Sequence, residues 1–274
     1  MKISILFSAL ILLKSVNGFA IGEHIPAGAR SSALGGASVA IPDFWSVCNN
    51  QAGNVWLKGV SAGLYAENRF LFKEMMAQQI GLVLPCKAGA FGILVNHFGN
   101  SNYNELKAGL SYARKFGKRF SMGIQLDYLR IHISEDYGNK NLFSCEIGLM
   151  YHSDSHLNIG IQIINPVPIK IITYPPEHLP SIICIGLSYK FSNTLLLTAE
   201  AEKDLEHKPV FRAGAEYLFA NLVCARIGIS TNPVSFSFGF GLDVRRVKID
   251  IASQYQQALG FSPAISIIYS FIKK

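Results

Sequence analysis

Two histidines and an aspartate are the residues whose types and spacing best fit a chemical site. His152 and His156 flank the turn Ser153-Asp154-Ser155, and two imidazoles and a carboxylate at this spacing could chelate a metal ion. A polar turn between two strands explains the same residues, and we prefer that interpretation. The chain has no Gly-x-Ser-x-Gly elbow, Walker A loop or His-Glu-x-x-His helix. We therefore predict a non-enzymatic protein with no catalytic residues, no cofactor and no bound metal.

The cysteines and basic residues add no further site. No Cys-x-x-Cys pair or Cys/His ligand spacing occurs among the five cysteines, which are Cys48, Cys86, Cys145, Cys184 and Cys224. A structural zinc site needs closely spaced ligands. The formal net charge is +7, but Lys and Arg do not cluster with aromatic residues. We therefore predict that nucleic acid is not a partner.

Most of the chain repeats a run of about ten residues in which apolar side chains alternate with small or polar ones. In Val234–Val244 the even positions are Val, Phe, Phe, Phe, Leu and Val, and the odd positions are Ser, Ser, Gly, Gly and Asp. Successive side chains of a strand point to opposite faces. Such runs are typical of transmembrane β-barrels, whose faces meet lipid and lumen in turn.

The composition favours a membrane barrel over a soluble β-sandwich. Half of the residues are hydrophobic and 16% are charged, below the roughly 25% of an ordinary soluble domain. No apolar run approaches the roughly 20 residues of a spanning helix. A water-soluble sandwich is the alternative, but its solvent face would carry more Lys and Glu. We predict an all-β fold, a transmembrane antiparallel β-barrel of about fourteen strands with an N-terminal plug or hatch.

The predicted barrel occupies residues 58–274 and contains an even number of strands. The predicted strands are Val60–Asn68, Met76–Leu84, Ala88–Phe98, Asn104–Arg114, Arg119–Ile133, Leu142–His152, His156–Ile164, Ser181–Phe191, Thr194–Lys203, Pro209–Phe219, Leu222–Thr231, Val234–Val244, Val247–Gln257 and Pro263–Ile272. Connections after even-numbered strands are short and most of the others are longer, as in outer-membrane barrels with periplasmic turns. Both chain ends are then expected in the periplasm.

Charged residues of both signs fall on the lumen phase of the strands. Lys107, Glu146, Glu200 and Arg226 are among them, so we predict an interior network of ion pairs. Alternation changes phase in the fifth strand, where Leu129, Ile131 and Ile133 become apolar. We predict a β-bulge near Tyr128.

Residues 1–20 are predicted to form a signal peptide. Lys2 precedes the apolar run Ile3–Leu13, and Gly18 and Ala20 occupy the −3 and −1 positions of a cleavage site. An uncleaved anchor helix is the alternative, but the run is too short. The mature chain is expected to insert in the outer membrane of a Gram-negative cell.

Residues 21–57 do not alternate and are predicted to form the hatch. Gly35 and Gly36 lie in a run of small residues that permits close backbone contact. Arg30 is expected to pair with a lumen carboxylate such as Glu146, Glu200, Glu216 or Asp250. Asp43, Trp45 and Asn49 could line a ligand gate, or they could pack the plug.

The connection between residues 165 and 180 is the predicted external contact surface. Its prolines restrict an apolar loop that contains Ile171, Ile172 and Tyr174, and exposed apolar patches often bind partners. The alternative is a lid folded over the barrel mouth.

The hatch resembles the N-terminal signature of the PorV/PorQ group, which is related to FadL-type outer-membrane barrels of Bacteroidota. The resemblance rests on Gly28–Ala40, GARSSALGGASVA, and Asp43–Gly53, DFWSVCNNQAG. The usual pattern is A-R-x-x-A-L-G-G-A-x-V-A, an acidic pair and N-P-A-G-L. The chain departs from it at Pro42, Gln51 and Asn54. The resemblance implies a fourteen-stranded barrel with an N-terminal hatch, in the outer membrane of a bacterium of Bacteroidota.

The same resemblance implies a function in type IX secretion or surface-protein handling, because PorV-like members bind and deliver cargo. Passive transport of small hydrophobic molecules, as in FadL-like relatives, is the alternative. The expected partners are therefore outer-membrane lipid, together with secretion-system proteins or cargo in the first case and hydrophobic small molecules in the second.

Overall fold

The computed structural model describes residues 25–134, 138–153, 156–173, 176–205, 207–220 and 222–271. The predicted signal peptide, residues 21–24 of the predicted hatch, and Tyr174 lie outside these ranges. Among the described residues, no helix is long and apolar enough to cross a membrane.

Fourteen antiparallel strands form a closed barrel, which confirms the predicted β-barrel of about fourteen strands. They are β1 (Ser61–Asn68), β2 (Met76–Cys86), β3 (Gly89–Gly99), β4 (Tyr103–Phe116), β5 (Phe120–Ile133), β6 (Gly138–His152), β7 (Leu157–Ile164), β10 (Ile182–Lys190), β11 (Leu195–Asp204), β12 (Val210–Phe219), β13 (Val223–Ser230), β14 (Ser235–Val244), β15 (Val247–Gln256) and β16 (Gly260–Ser270). Pairing of β1 with β16 closes the barrel. Closure pairs both edges of every barrel strand, so backbone polar groups are satisfied even in hydrocarbon.

The two faces of the barrel wall differ as the alternation predicts. On β14, Phe236, Phe238 and Phe240 point outward and are exposed, whereas Ser235 and Ser237 point inward and are buried. Exposed Leu, Ile, Val and Phe occupy the outward positions of the other strands as well. This band of apolar side chains is the surface that a barrel presents to lipid.

The segment predicted as a long external loop contains a small sheet of its own. Strands β8 (Ile169–Thr173) and β9 (Pro176–Leu179) pair with each other in a separate two-stranded sheet. The barrel therefore continues directly from β7 to β10. Strand β6 also begins at Gly138, four residues before the predicted Leu142. Its extra residues pair with the end of β5.

The predicted β-bulge near Tyr128 is wrong. Pairing of β5 with β4 and with β6 keeps one register through Tyr128. Leu129 and Ile131 keep the inward phase of Asp127, and Ile131 is buried. The apolar phase changes because the inner wall itself becomes apolar there. Ile131 packs inside the barrel against Ile171 and Leu179 of the β8–β9 hairpin.

Residues 25–57, here called the N-terminal segment, contain three short helical elements. These are α1 (Ala29–Ala33), α2 (Ser46–Asn49) and the 3₁₀ helix Gln51–Trp56. All residues of the segment are buried or half-buried. Two further 3₁₀ turns, Arg69–Leu71 and Lys73–Met75, connect β1 to β2.

Outward positions should tolerate charge according to their depth in the membrane. Phe240 lies at the middle of β14 and Val244 at its end. We expect Phe240→Arg to lower the free energy of unfolding by at least about 2–4 kcal/mol and Val244→Arg by about 0–1 kcal/mol. Urea unfolding of the refolded barrel in phospholipid vesicles measures both. Equal effects at the two positions would contradict a lipid-facing band.

Candidate functional site

The N-terminal segment packs against the inner wall around the whole barrel. Helix α1 contacts β13 to β16, and the 3₁₀ helix contacts β2 to β6. Between them, the Ala40 carbonyl accepts a hydrogen bond from Ser188 of β10 at 2.9 Å, and the Cys48 carbonyl accepts one from Gln162 of β7 at 3.1 Å. Phe44 lies against β1 and β2. Contacts of the segment with β11 and β12 complete the circuit.

Inward-facing glycines make room for this segment. A methyl group built on any of them would meet atoms of residues 33–54; they are Gly63, Gly81, Gly92, Gly123, Gly148, Gly160, Gly186, Gly214, Gly228 and Gly239. Several are direct cross-strand partners, such as Gly160 with Gly186 and Gly214 with Gly228. The glycines therefore form a girdle, defined by this set, whose inner surface fits the segment.

Ion pairs follow the inner wall, as predicted. Arg226 contacts Glu216 at 2.6 Å and Asp250 at 2.8 Å. Arg212 contacts Glu200 at 2.9 Å and Glu202 at 2.8 Å. Each cation lies between two carboxylates, so a buried charge keeps a partner of opposite sign.

Arg30 joins the segment to this network. Its Nε and Nη2 donate to the two oxygens of Glu216 at 2.8 and 2.6 Å, and its Nη1 donates to Asp43 at 3.0 Å. The predicted pairing of Arg30 with a lumen carboxylate is confirmed. Burial opposes the charge of Arg30, but the carboxylates of Glu216 and Asp43 outweigh it. They hold the pKa of the guanidinium above its ordinary value.

Gly35 and Gly36 both lie against the barrel wall. Their φ angles are +70° and +87°, a backbone region that glycine adopts without strain. A Cβ on Gly35 would lie 2.6 Å from the carbonyl oxygen of Ile229, and one on Gly36 would lie 3.0 Å from Arg212. Side chains at either position would push the segment away from the wall.

Asp43, Trp45 and Asn49 all have contacts that hold the segment together. Asp43 accepts hydrogen bonds from Arg30 and from the backbone of Trp45. Asn49 exchanges two hydrogen bonds with the backbone of Ala27 at 2.7 and 3.0 Å. The Trp45 ring is buried edge-on against Phe44 and Tyr65. These contacts are the ones that the packing alternative predicts.

A cavity of about 910 Å³, including its solvent-open part, lies between the N-terminal segment and the β8–β9 hairpin. Ile25 and Cys48 border it on one side, and Leu179 and Pro180 on the other. Its apolar wall consists of Ala77, Phe98, Leu129, Ile131 and Ile164. Burial raises the pKa of the Cys48 thiol to about 12, so this thiol stays protonated at neutral pH and is a poor nucleophile.

One wall of the cavity is polar. Lys107 contacts Glu146 and lies 3.5 Å from Asp127. Glu146 also accepts hydrogen bonds from Gln51 at 2.5 Å and Gln162 at 3.0 Å. The alternation places Lys107 and Glu146 in the lumen but identifies no cavity. The sequence signal for the cavity is that Leu129, Ile131 and Ile133 are apolar at inward positions. Alternation alone interprets this signal as a bulge.

Ile171, one of the predicted external contact residues, is buried instead of exposed. It is 4% exposed and packs against Ile131 and Leu179. The side chains of Ile172 and Tyr174 are outside the described residues. The hairpin therefore covers the cavity at its own end of the barrel, which corresponds to the lid alternative.

Both candidate metal sites have ligand atoms that already bond to protein groups. His152 Nδ1 hydrogen bonds to Asn158 at 2.5 Å and its ring packs 4.4 Å from Trp56, while Asp154 is outside the described residues. In the described part of the chain, Cys184, Glu200 and Glu202 could also hold an ion. Arg212, however, donates hydrogen bonds to both of these carboxylates.

Solved channel structures share this fold. The CymD monoaromatic hydrocarbon channel matches with a TM-score of 0.68 and 14% identity, covering 91% of this chain and 98% of the channel. A Pseudomonas aeruginosa FadL homologue matches with a TM-score of 0.72 and 11% identity, covering 92% of this chain and 100% of the homologue. The Ralstonia pickettii toluene transporter TbuX matches with a TM-score of 0.70 and 14% identity, covering 91% of this chain and 100% of the transporter. No family model matches the chain, and no curated protein matches it. The chain therefore has a FadL-like fold.

Loss of the Arg30 side chain should loosen the segment and leave the barrel closed. We expect Arg30→Met to lower the local stability of residues 30–50 by roughly 2–3 kcal/mol, because hydrogen bonds to charged groups are lost. Glu216 would keep its pairing with Arg226. Hydrogen exchange by mass spectrometry measures the effect. Lys248→Met is the control, since the ion pair of Lys248 is with Asp250 of the barrel wall, at 3.9 Å. Unchanged exchange in Arg30→Met would contradict the anchoring role.

Proposed function

We propose that the protein is a non-enzymatic outer-membrane channel for the passive transport of small hydrophobic molecules, with the N-terminal segment as its plug. The cavity between this segment and the hairpin carries the proposal. Its apolar wall lies inside the barrel and is shielded from lipid, and an apolar lining with a few polar groups is typical of small-molecule sites. The fold shared with hydrocarbon channels supports the same function.

The plug assignment is supported by the fit between the segment and the wall. The segment contacts the wall around the circumference, and glycines of the girdle leave space that it fills. Arg30 binds the carboxylate of Glu216 on β12. The backbone amides of Ser38 and Val39 each donate a hydrogen bond of 2.8 Å to Glu200 on β11. A barrel of this width without the segment would have an open lumen. Passage through it therefore requires the segment to move.

A function in secretion is supported only by the resemblance of residues 28–53 to the PorV/PorQ signature. It stays a prediction, as do the signal peptide, the Bacteroidota source and the periplasmic position of both chain ends. Co-purification from native membranes separates the two functions. Bound hydrophobic molecules would favour the channel, and secretion-system proteins or cargo would favour the alternative.

Filling the cavity should stop transport. Ile164 lines the cavity, and its neighbour Ile163 has the outward phase of β7. We expect Ile164→Trp to lower toluene uptake into proteoliposomes at least about tenfold, since each lost 1.4 kcal/mol of binding is a factor of ten. Ile163→Trp is the matched control and should transport like the wild type. Equal uptake by both variants would overturn the cavity as the transport site.

Displacement of the plug should open the lumen. We expect the double variant Gly35→Val, Gly36→Val to fold into the barrel but to conduct ions steadily in planar bilayers, whereas the wild type stays near zero conductance. Valine is strained at positive φ and would collide with Ile229 and Arg212. Ala225→Val, at an outward position of β13, is the control. A wide open pore in the wild type, or no change in the double variant, would refute the plug.

A further inference from the structure

We propose that the cavity selects small molecules with an apolar body and a hydrogen-bond-donating cationic head group, that is, an alkyl or aryl ammonium. This inference rests on the proposed channel function and adds the class of its ligand. It starts from three residues of the cavity lining, each with a buried oxygen that accepts no hydrogen bond within the described residues: Gln79 Oε1, Asn96 Oδ1 and Asp127 Oδ2.

The three oxygens belong to one continuous patch of the inner wall. Gln79 of β2 is the direct cross-strand partner of Asn96 of β3, and Asn96 is the partner of Lys107 of β4. Asp127 lies on the next strand, where its Oδ2 is in ion-pair contact with Lys107 Nζ at 3.5 Å. Gln79 and Asp127 are 4% and 2% exposed. All three residues line the same cavity as the apolar wall.

Buried acceptors without hydrogen-bond donors are costly, so the patch favours a ligand that brings donors. Such a group has lost its hydrogen bonds to water on folding and gains none in return. Rotation of an amide could exchange oxygen for nitrogen at Gln79 or Asn96, but no rotation gives a carboxylate a donor. Asp127 Oδ1 accepts a hydrogen bond from Gln125 at 2.8 Å, and the 3.5 Å contact of Oδ2 with Lys107 is longer than an ordinary charge-assisted hydrogen bond.

The charge balance of the wall favours a cation over an anion. Lys107 is the cation that the described cavity lining contributes from an inward position, and it is placed between Asp127 and Glu146. His97 and Arg130 also border the cavity, from outward positions of β3 and β5. A carboxylate ligand would face excess negative charge, whereas an ammonium would balance it and supply three donors.

The remaining wall suits the apolar body of such a ligand. The side chains that surround the space beyond the polar patch are Phe98, Leu129, Ile131, Ile164 and Leu179. A molecule with its ammonium at Asp127 would place its carbon chain among these side chains, under the hairpin. A neutral alcohol at the same position would have one donor instead of three and no charge to attract it to the carboxylates.

Three ligands with the same carbon chain test the proposal: octylamine, octanol and octanoate. Binding to the detergent-solubilised full-length protein at neutral pH is measured by calorimetry, with Ile164→Trp as the correction for partition into detergent. We expect octylamine to bind at least about tenfold more tightly than octanol, because a hydrogen bond to a charged group is stronger than one between neutral groups. We expect octanoate to bind most weakly.

Two variants assign the effect to the patch. Asp127→Asn and Gln79→Leu should each lower the affinity for octylamine, the first at least about tenfold, and leave octanol binding within twofold. Glu74→Gln, at an exposed position between β1 and β2, is the control and should bind all three ligands like the wild type. Heat-modified gel migration checks that each variant is a folded barrel.

The outcomes separate this inference from the channel function. If octanol binds as tightly as octylamine, water satisfies the three oxygens and the ammonium selectivity is refuted, while the hydrophobic channel stands. If octylamine is preferred but Asp127→Asn has no effect, the assigned patch is wrong. If none of the three ligands binds and toluene is not taken up, both proposals fail.

Discussion

A strand in hydrocarbon has no water to satisfy its backbone, and the architecture of this chain follows from that constraint. Every N–H and C=O must bond to a neighbouring strand, so the sheet has to close on itself. Pairing of Ser61 with Ser270 begins the seam that does so. Closure with alternating side chains produces an apolar surface outside and a confined space inside. The rest of the structure concerns how that inner space is filled.

The interior is filled by charges in balanced groups and by a segment of small residues. Arg226 lies between Glu216 and Asp250, and Arg30 extends the same cluster to the N-terminal segment. Removing one member of such a buried cluster leaves the others without a charged partner, which costs several kcal/mol of folding stability. Shape adds to this attachment, because glycines of the girdle remove the side chains that would keep the segment away. The segment is therefore held to the wall by charge, by hydrogen bonds and by close packing together.

The cavity lies where the inner wall changes from charged to apolar side chains. Under the hairpin the inner wall becomes apolar at Leu129 and Ile131, and beside it Asp127 keeps an oxygen that accepts no hydrogen bond from the described residues. An apolar space next to unsatisfied acceptors is the arrangement expected of a binding site rather than of a packed core. The hairpin covers it with Ile171 and Leu179. The proposed transport and the proposed selectivity then depend on different walls of one space.

Alternation along the chain was enough to predict the barrel, its fourteen strands and the polarity of each face, because alternation is a local property that can be seen without knowledge of the fold. The need of a buried guanidinium for a partner was enough to predict that Arg30 meets a lumen carboxylate.

Other features became visible only in the folded chain. Glu216 is the wall carboxylate that Arg30 contacts, and Asp43, Trp45 and Asn49 bond within their own segment. The phase change after Tyr128 is a covered apolar wall and not a bulge. These features depend on residues far apart in the chain that meet across the lumen, and no local pattern records such distances.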